Sequence, residues 1–173
     1  MNKIFGKIEG FSIYREEGSR YVLSYGMELA SDGVNATWYE VYLNKNKNSK
    51  PNFDKIKEVI TNDINARTDE KILNGFVWND INVWLSAENQ RNFSEAQRMT
   101  EKYGDKVLPL RFKLGEDEEG NPVYYTFETV EELDLFYIQA FSYVNKCLNE
   151  GWTIKDNFDW KPYEELFPNV SEK

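Results

Sequence analysis

The sequence predicts an α+β fold, and three observations predict it. Residues 3–43 hold short runs of β-forming residues broken by turn chemistry. Segments after residues 52, 86 and 129 repeat apolar residues at three- and four-residue steps, the period of a helix. Two further stretches between those segments read as β-hairpins. The expected order is an N-terminal antiparallel β-meander over 1–43, a polar linker over 44–52, an α+β domain over 53–160 and a C-terminal tail over 161–173. In that domain three α-helices pack on one face of the two hairpins.

The meander rests on three runs. Phe11, Ile13 and Arg15 alternate with Ser12 and Tyr14. Tyr21–Tyr25 is rich in β-formers and follows the turn residues Glu17-Gly18-Ser19. Ala36–Leu43 follows Ser31-Asp32-Gly33. There Trp38, Glu40 and Tyr42 face one way, and Thr37, Tyr39, Val41 and Leu43 the other. Asn44–Asn52, reading NKNKNSKPN, has the composition of a solvated connector.

A helix is expected over Phe53–Ala66, with Asn52 as cap and Ile56, Val59, Ile60 and Ile64 on one face. The next stretch, Lys71–Ser86 (KILNGFVWNDINVWLS), organises the larger domain. It carries Trp78 and Trp84, with Asn79-Asp80 as a two-residue turn between apolar runs. Ser86 caps a second helix with a thin stripe of Phe93, Ala96, Met99 and Tyr103, and Gly104 ends it. Val107–Leu114 and Val123–Phe127 form the second hairpin around the loop GEDEEGNP. Thr129 and Glu132 form a capping box for the longest helix. Its apolar stripe includes Leu133, Phe136, Ala140, Phe141 and Leu148, with Phe141 expected in the core and Gly151 as the stop. The tail from 161 is expected to fray.

Composition narrows the function classes. The net charge of −9 repels phosphate backbones and anionic leaflets, so neither nucleic acid nor a membrane is an expected partner. There is no histidine, which removes the commonest general base and the commonest transition-metal ligand. The single cysteine, Cys147, excludes an internal disulfide and fits a reducing compartment. No apolar run approaches the ~20 residues that span a bilayer. The opening MNKIFGKIEGFSIY, broken by Lys7 and Glu9, lacks a signal-peptide core. Synthesis in a cytoplasm is expected.

No motif selects an active site. The acidic run Glu116–Glu119 lacks EF-hand spacing and reads as a solvated hairpin tip. Its two glycines lack the lysine and Ser/Thr of a phosphate loop. No spacing picks out a carboxylate pair for glycoside hydrolysis. Cys147 sits on the apolar side of the last helix with no histidine to activate it. The expectation is no enzyme, cofactor or metal. Trp38, Trp78, Trp84, Trp152 and Trp160 read as core or core-rim residues, with sugar or protein contact as the alternative. The meander carries more large rings than a three-stranded sheet buries alone. Trp38, Tyr39, Tyr42 and Tyr25 are therefore the candidate protein-interface residues. A chain beginning at Asn52 is expected to stay folded and to lose self-association or incorporation into virions.

An ordered pattern runs from about Phe53 to Trp160. IKEVITNDINA comes first, then LNGFVWNDINVWLS, then AENQRNFSEA. A second aromatic hairpin follows, and then EELDLFYIQAFSYVNKCLNE. This pattern resembles a domain of unknown function found in phage tail and tail-fibre-associated proteins. The missing histidine and the long EDEEGNP loop depart from it, and the meander lies outside it. The resemblance implies a structural component of a tailed-phage virion, at the tail or a fibre attachment. Such a component binds other phage structural proteins and itself. A non-virion assembly factor for tail fibres and a carbohydrate-binding module are the alternatives.

Overall fold

The computed structural model describes residues 2–45 and 50–169. The α+β class holds, with strands first and helices alternating with hairpins afterwards. The chain divides into two compact units, Met1–Arg67 with Ile154–Lys173, and Thr68–Thr153. The division falls inside two long helices instead of at 44–52, because the N-terminal sheet takes its core from residues on both sides of the expected linker. Of that linker, 46–49 lie outside the described residues, as does the end of the tail, 170–173.

The first unit holds a four-stranded antiparallel sheet of β1 (Asn2–Lys7), β2 (Tyr14–Glu17), β3 (Arg20–Leu29) and β4 (Asn35–Asn44). Its order is β1-β4-β3-β2. The expected meander is β2-β3-β4, and β1 adds a fourth strand outside β4, as in a Greek key. Lys3, Gly6 and Lys7 hide β1 in the sequence. Gly6 lets the strand pass close to the Trp38 ring, where a Cβ would stand in a tight contact of 3.0 Å. A bulge at Gly26, with φ +62°, shifts the β3–β4 register between Tyr25 and Glu28.

One face of the sheet carries Leu23, Tyr25, Tyr39, Val41 and Leu43. It closes over Ile56, Ile60 and Ile64 of helix α1 (Phe53–Asn74) and over Tyr163 and Phe167. Asn52 caps α1 by accepting the Lys55 N–H at 3.1 Å. The helix runs past the expected end at Ala66, because 67–74 contains neither glycine nor proline, and it stops before Gly75. The expected frayed tail is instead helical over α4 (Lys161–Leu166). Its Tyr163 hydroxyl donates to the Ser24 carbonyl at 2.7 Å.

The second unit opens with the hairpin β5 (Phe76–Trp78) and β6 (Ile81–Val83). Asn79 and Asp80 both take positive φ, 46° and 62°, as the primed two-residue turn requires. Ser86 Oγ accepts the Asn89 N–H to cap α2 (Ala87–Tyr103), and Gly104 ends it. Phe93, Ala96 and Thr100 form the buried stripe of α2, while Tyr103 is exposed, against expectation. The second hairpin is β7 (Leu110–Glu116) and β8 (Pro122–Phe127), starting later than expected because Gly104–Val107 forms a 3-10 turn. The hairpins remain two separate two-stranded sheets, joined by a Trp84 N–H to Leu114 carbonyl bond of 2.7 Å.

Thr129 Oγ1 accepts the Glu132 N–H, and the Glu132 carboxylate accepts the Glu128 N–H, which starts α3 (Val130–Asp156). Gly151 does not stop it. It is a crossing point, where a Cβ would stand 2.5 Å from Thr68 Oγ1 of α1. Phe136 is the hub of the core, with ring centroids 4.9 Å from Phe93, 5.0 Å from Phe127 and 5.3 Å from Trp78. Phe141 is not in that core and is 59% exposed. It lies on the flank of α3 next to the face of Leu133, Phe136 and Ala140, and lines a groove with Ala140 at the edge of the core, so an apolar stripe wider than the buried face hid that edge.

Candidate interaction site

The four aromatic residues expected at an interface do not share a surface. Trp38 and Tyr42 lie on one face of the N-terminal sheet, Tyr25 and Tyr39 on the other. Tyr25 and Trp38 are buried, Tyr39 and Tyr42 half-buried. The rings are covered from within the same unit. Phe158 lies 5.8 Å from Tyr25, and Phe11 packs edge-on to Trp38 at 5.7 Å. Trp38 is 5% exposed, so it offers no free ring face for a sugar.

Both faces hold charge among these rings. On one, Arg67 stacks 3.6 Å from the Tyr39 centroid and donates to the Tyr25 hydroxyl at 2.7 Å. That hydroxyl donates to Asp63 at 2.6 Å, and burial with the Asp63 carboxylate pushes the phenol's pKa up. On the other face Glu40 is buried. Arg15 grips it in two bonds of 2.7 and 3.0 Å, and the Trp38 indole donates a third at 3.0 Å. Arg15 holds the Glu40 carboxyl below the usual carboxylate range, against the opposing effect of burial. Both clusters are held by partners within the same unit and pin the sheet, although the buried Arg67 Nε makes no hydrogen bond and only faces Asp63 at 3.4 Å.

The Arg15–Glu40 pair yields a pH-dependent prediction. Arg15→Met leaves Glu40 buried without its cation and is expected to destabilise the protein by about 3 kcal/mol at pH 7. The depressed folded pKa of Glu40 contributes stability above the ordinary value of 4.5, and that contribution is lost as the pH falls through the folded value. The gap between variant and wild type should therefore narrow below pH 4.5. Urea melts of both proteins at neutral and acid pH measure it, and a gap independent of pH would sink this assignment.

In the second unit α3 presents a surface that nothing in the sequence singled out. Ile138, Phe141 and Trp152 recur at helical spacing and are about half exposed or more, with Leu135 beside them. Next to Phe141 a groove of about 220 Å³ opens between α2 and α3, lined by Leu85, Phe93, Tyr137, Val144 and Leu148. Contiguous exposed apolar surface of this kind marks contact sites. The signal was present as an apolar stripe wider than one core face needs.

Tyr143, whose hydroxyl donates to the Lys71 carbonyl at 2.9 Å, has its pKa pushed up to about 12, first by burial and then by the neighbouring Cys147. Cys147 is buried. Among the described residues, no group of three acid or thiol side chains converges as metal ligands would. No helix among them is long and apolar enough to cross a membrane. Comparison with protein-family models, curated proteins and solved structures finds no match.

Proposed function

We propose that this chain is a non-catalytic structural component of a tailed-phage virion, at the tail or a fibre attachment, and that it works by binding other virion proteins. The exposed apolar row of α3 with its adjoining groove is the observation that carries the binding role. The phage setting rests on the ordered pattern between Phe53 and Trp160. Charge supports a selective surface. The interval between Lys113 and Lys146 has no basic residue, and Glu131 and Asp134 stand at the N-terminal end of the apolar row.

The expected result is that purified virions contain the chain at a fixed ratio to the tail proteins, measured by quantitative mass spectrometry. A chain bound to fibre protein in lysate yet missing from virions would replace this reading with that of an assembly factor. A chain found with neither would remove both.

A further inference from the structure

We propose that a cleft in the first unit binds a small organic cation, a quaternary ammonium ion or an amine with a compact apolar body. The site is separate from the α3 surface and does not rest on the virion reading.

Space is the first observation. The cleft holds about 560 Å³, within the range of small-molecule sites, and its walls all belong to the first unit. The Tyr25 and Phe158 ring centroids lie 5.8 Å apart, and those of Phe158 and Tyr163 5.6 Å apart, so three rings form one continuous wall. Phe11 adds a fourth ring. The bulge at Gly26 interrupts the β3–β4 ladder between Tyr25 and Glu28, and the cleft opens at that break. Met27 and Ile154, 40% and 45% exposed, leave apolar surface in water at its edge, which a bound ligand covers.

Charge selects the ligand. Asp159 is the single charged side chain among the described residues that line the cleft. It is exposed, and its Oδ1 accepts the Lys161 N–H at 3.2 Å, which holds the carboxylate in place. Burial, and after it the Asp159 carboxylate, push the Tyr163 phenol up, so that charge is felt at the aromatic wall. The Tyr25 hydroxyl is engaged by Asp63 and Arg67, and the Tyr163 hydroxyl by the Ser24 carbonyl. These two residues therefore offer the cleft ring surface instead of hydrogen bonds. Arg67, which stacks over Tyr25, is paired with Asp63 and does not line the cleft. A cation gains from both features, since ring faces and a carboxylate each attract positive charge. An anion is repelled by both and by the net charge of −9.

Choline is the probe. Neohexyl alcohol, in which carbon replaces the ammonium nitrogen, is the uncharged control of equal shape. Titration of the full, isotope-labelled chain with each is followed by two-dimensional NMR. Choline should shift the amides of Gly26, Met27 and Phe158 saturably at millimolar concentration, and the alcohol should bind at least about tenfold more weakly. Asp159→Asn keeps an oxygen for the Lys161 N–H, so the melting temperature should hold while choline binding falls several-fold towards that of the alcohol. Met27→Lys puts a like charge at the edge of the cleft, at an exposed position, and should abolish choline binding. The proposal is overturned if choline causes no saturable shift at these amides, if the alcohol binds as tightly, or if either variant binds choline like the wild type.

Discussion

Phe136→Ala is expected to destabilise the second unit by about 3–5 kcal/mol, while Phe141→Ala shifts stability by less than about 0.5 kcal/mol. The two residues sit five positions apart on α3, and both are phenylalanines in an apolar stripe. Their surroundings decide the difference. Phe136 is fully buried, and Trp78, Phe93 and Phe127 each meet it at 4.9–5.3 Å. Truncation there leaves a cavity walled by rings that belong to a hairpin, a helix and a strand, none of which moves alone. Phe141 has water on more than half of its surface, so its loss opens no void. Urea denaturation followed by tryptophan fluorescence measures both variants, since Trp78 reports directly on the Phe136 site. Equal losses in the two would show that Phe141 is as much a core residue as Phe136 and would overturn this assignment.

That contrast shows where sequence reading succeeds and where it stops. The capping signals are local, and they hold. Asn52, Ser86 and Thr129 each accept the backbone N–H three residues on, and Asn79-Asp80 makes its turn. Alternation in β4 is also local and correctly separates Trp38, Glu40 and Tyr42 from Tyr39, Val41 and Leu43. What each face meets is decided by distant residues, and periodicity carries no such information. Gly151 has the form of a helix stop, yet it is small because Thr68 crosses there. The stripe of α3 gives the helix but not which side is covered, so Phe141 reads as core and is surface. The candidate interface residues divide between the two faces of the sheet, which ring content does not reveal. Ring content shows that the sheet needs cover, and the cover comes from 158–167, about 120 positions along the chain from Tyr39.

The N-terminal sheet is therefore part of a core instead of a detachable module, and a chain beginning at Asn52 is expected to lose the first unit. Ile56, Ile60 and Ile64 are each essentially fully buried, and their cover includes Leu23, Tyr25, Tyr39 and Val41. Removing the sheet returns these three side chains to water at a cost on the order of 5–9 kcal/mol, which is comparable to the stability of a whole domain. Tyr163 loses its acceptor on Ser24, and Arg67 loses both Tyr25 and Tyr39. The second unit keeps a core of its own, from Ile72 to Cys147. Amide hydrogen exchange on the truncated chain should show residues 53–67 and 158–167 unprotected, with Phe136 and its neighbours in α3 still slow. Full protection of 53–67 in the shortened chain would mean that α1 needs no sheet to cover its isoleucines, and the first unit would have to be redrawn.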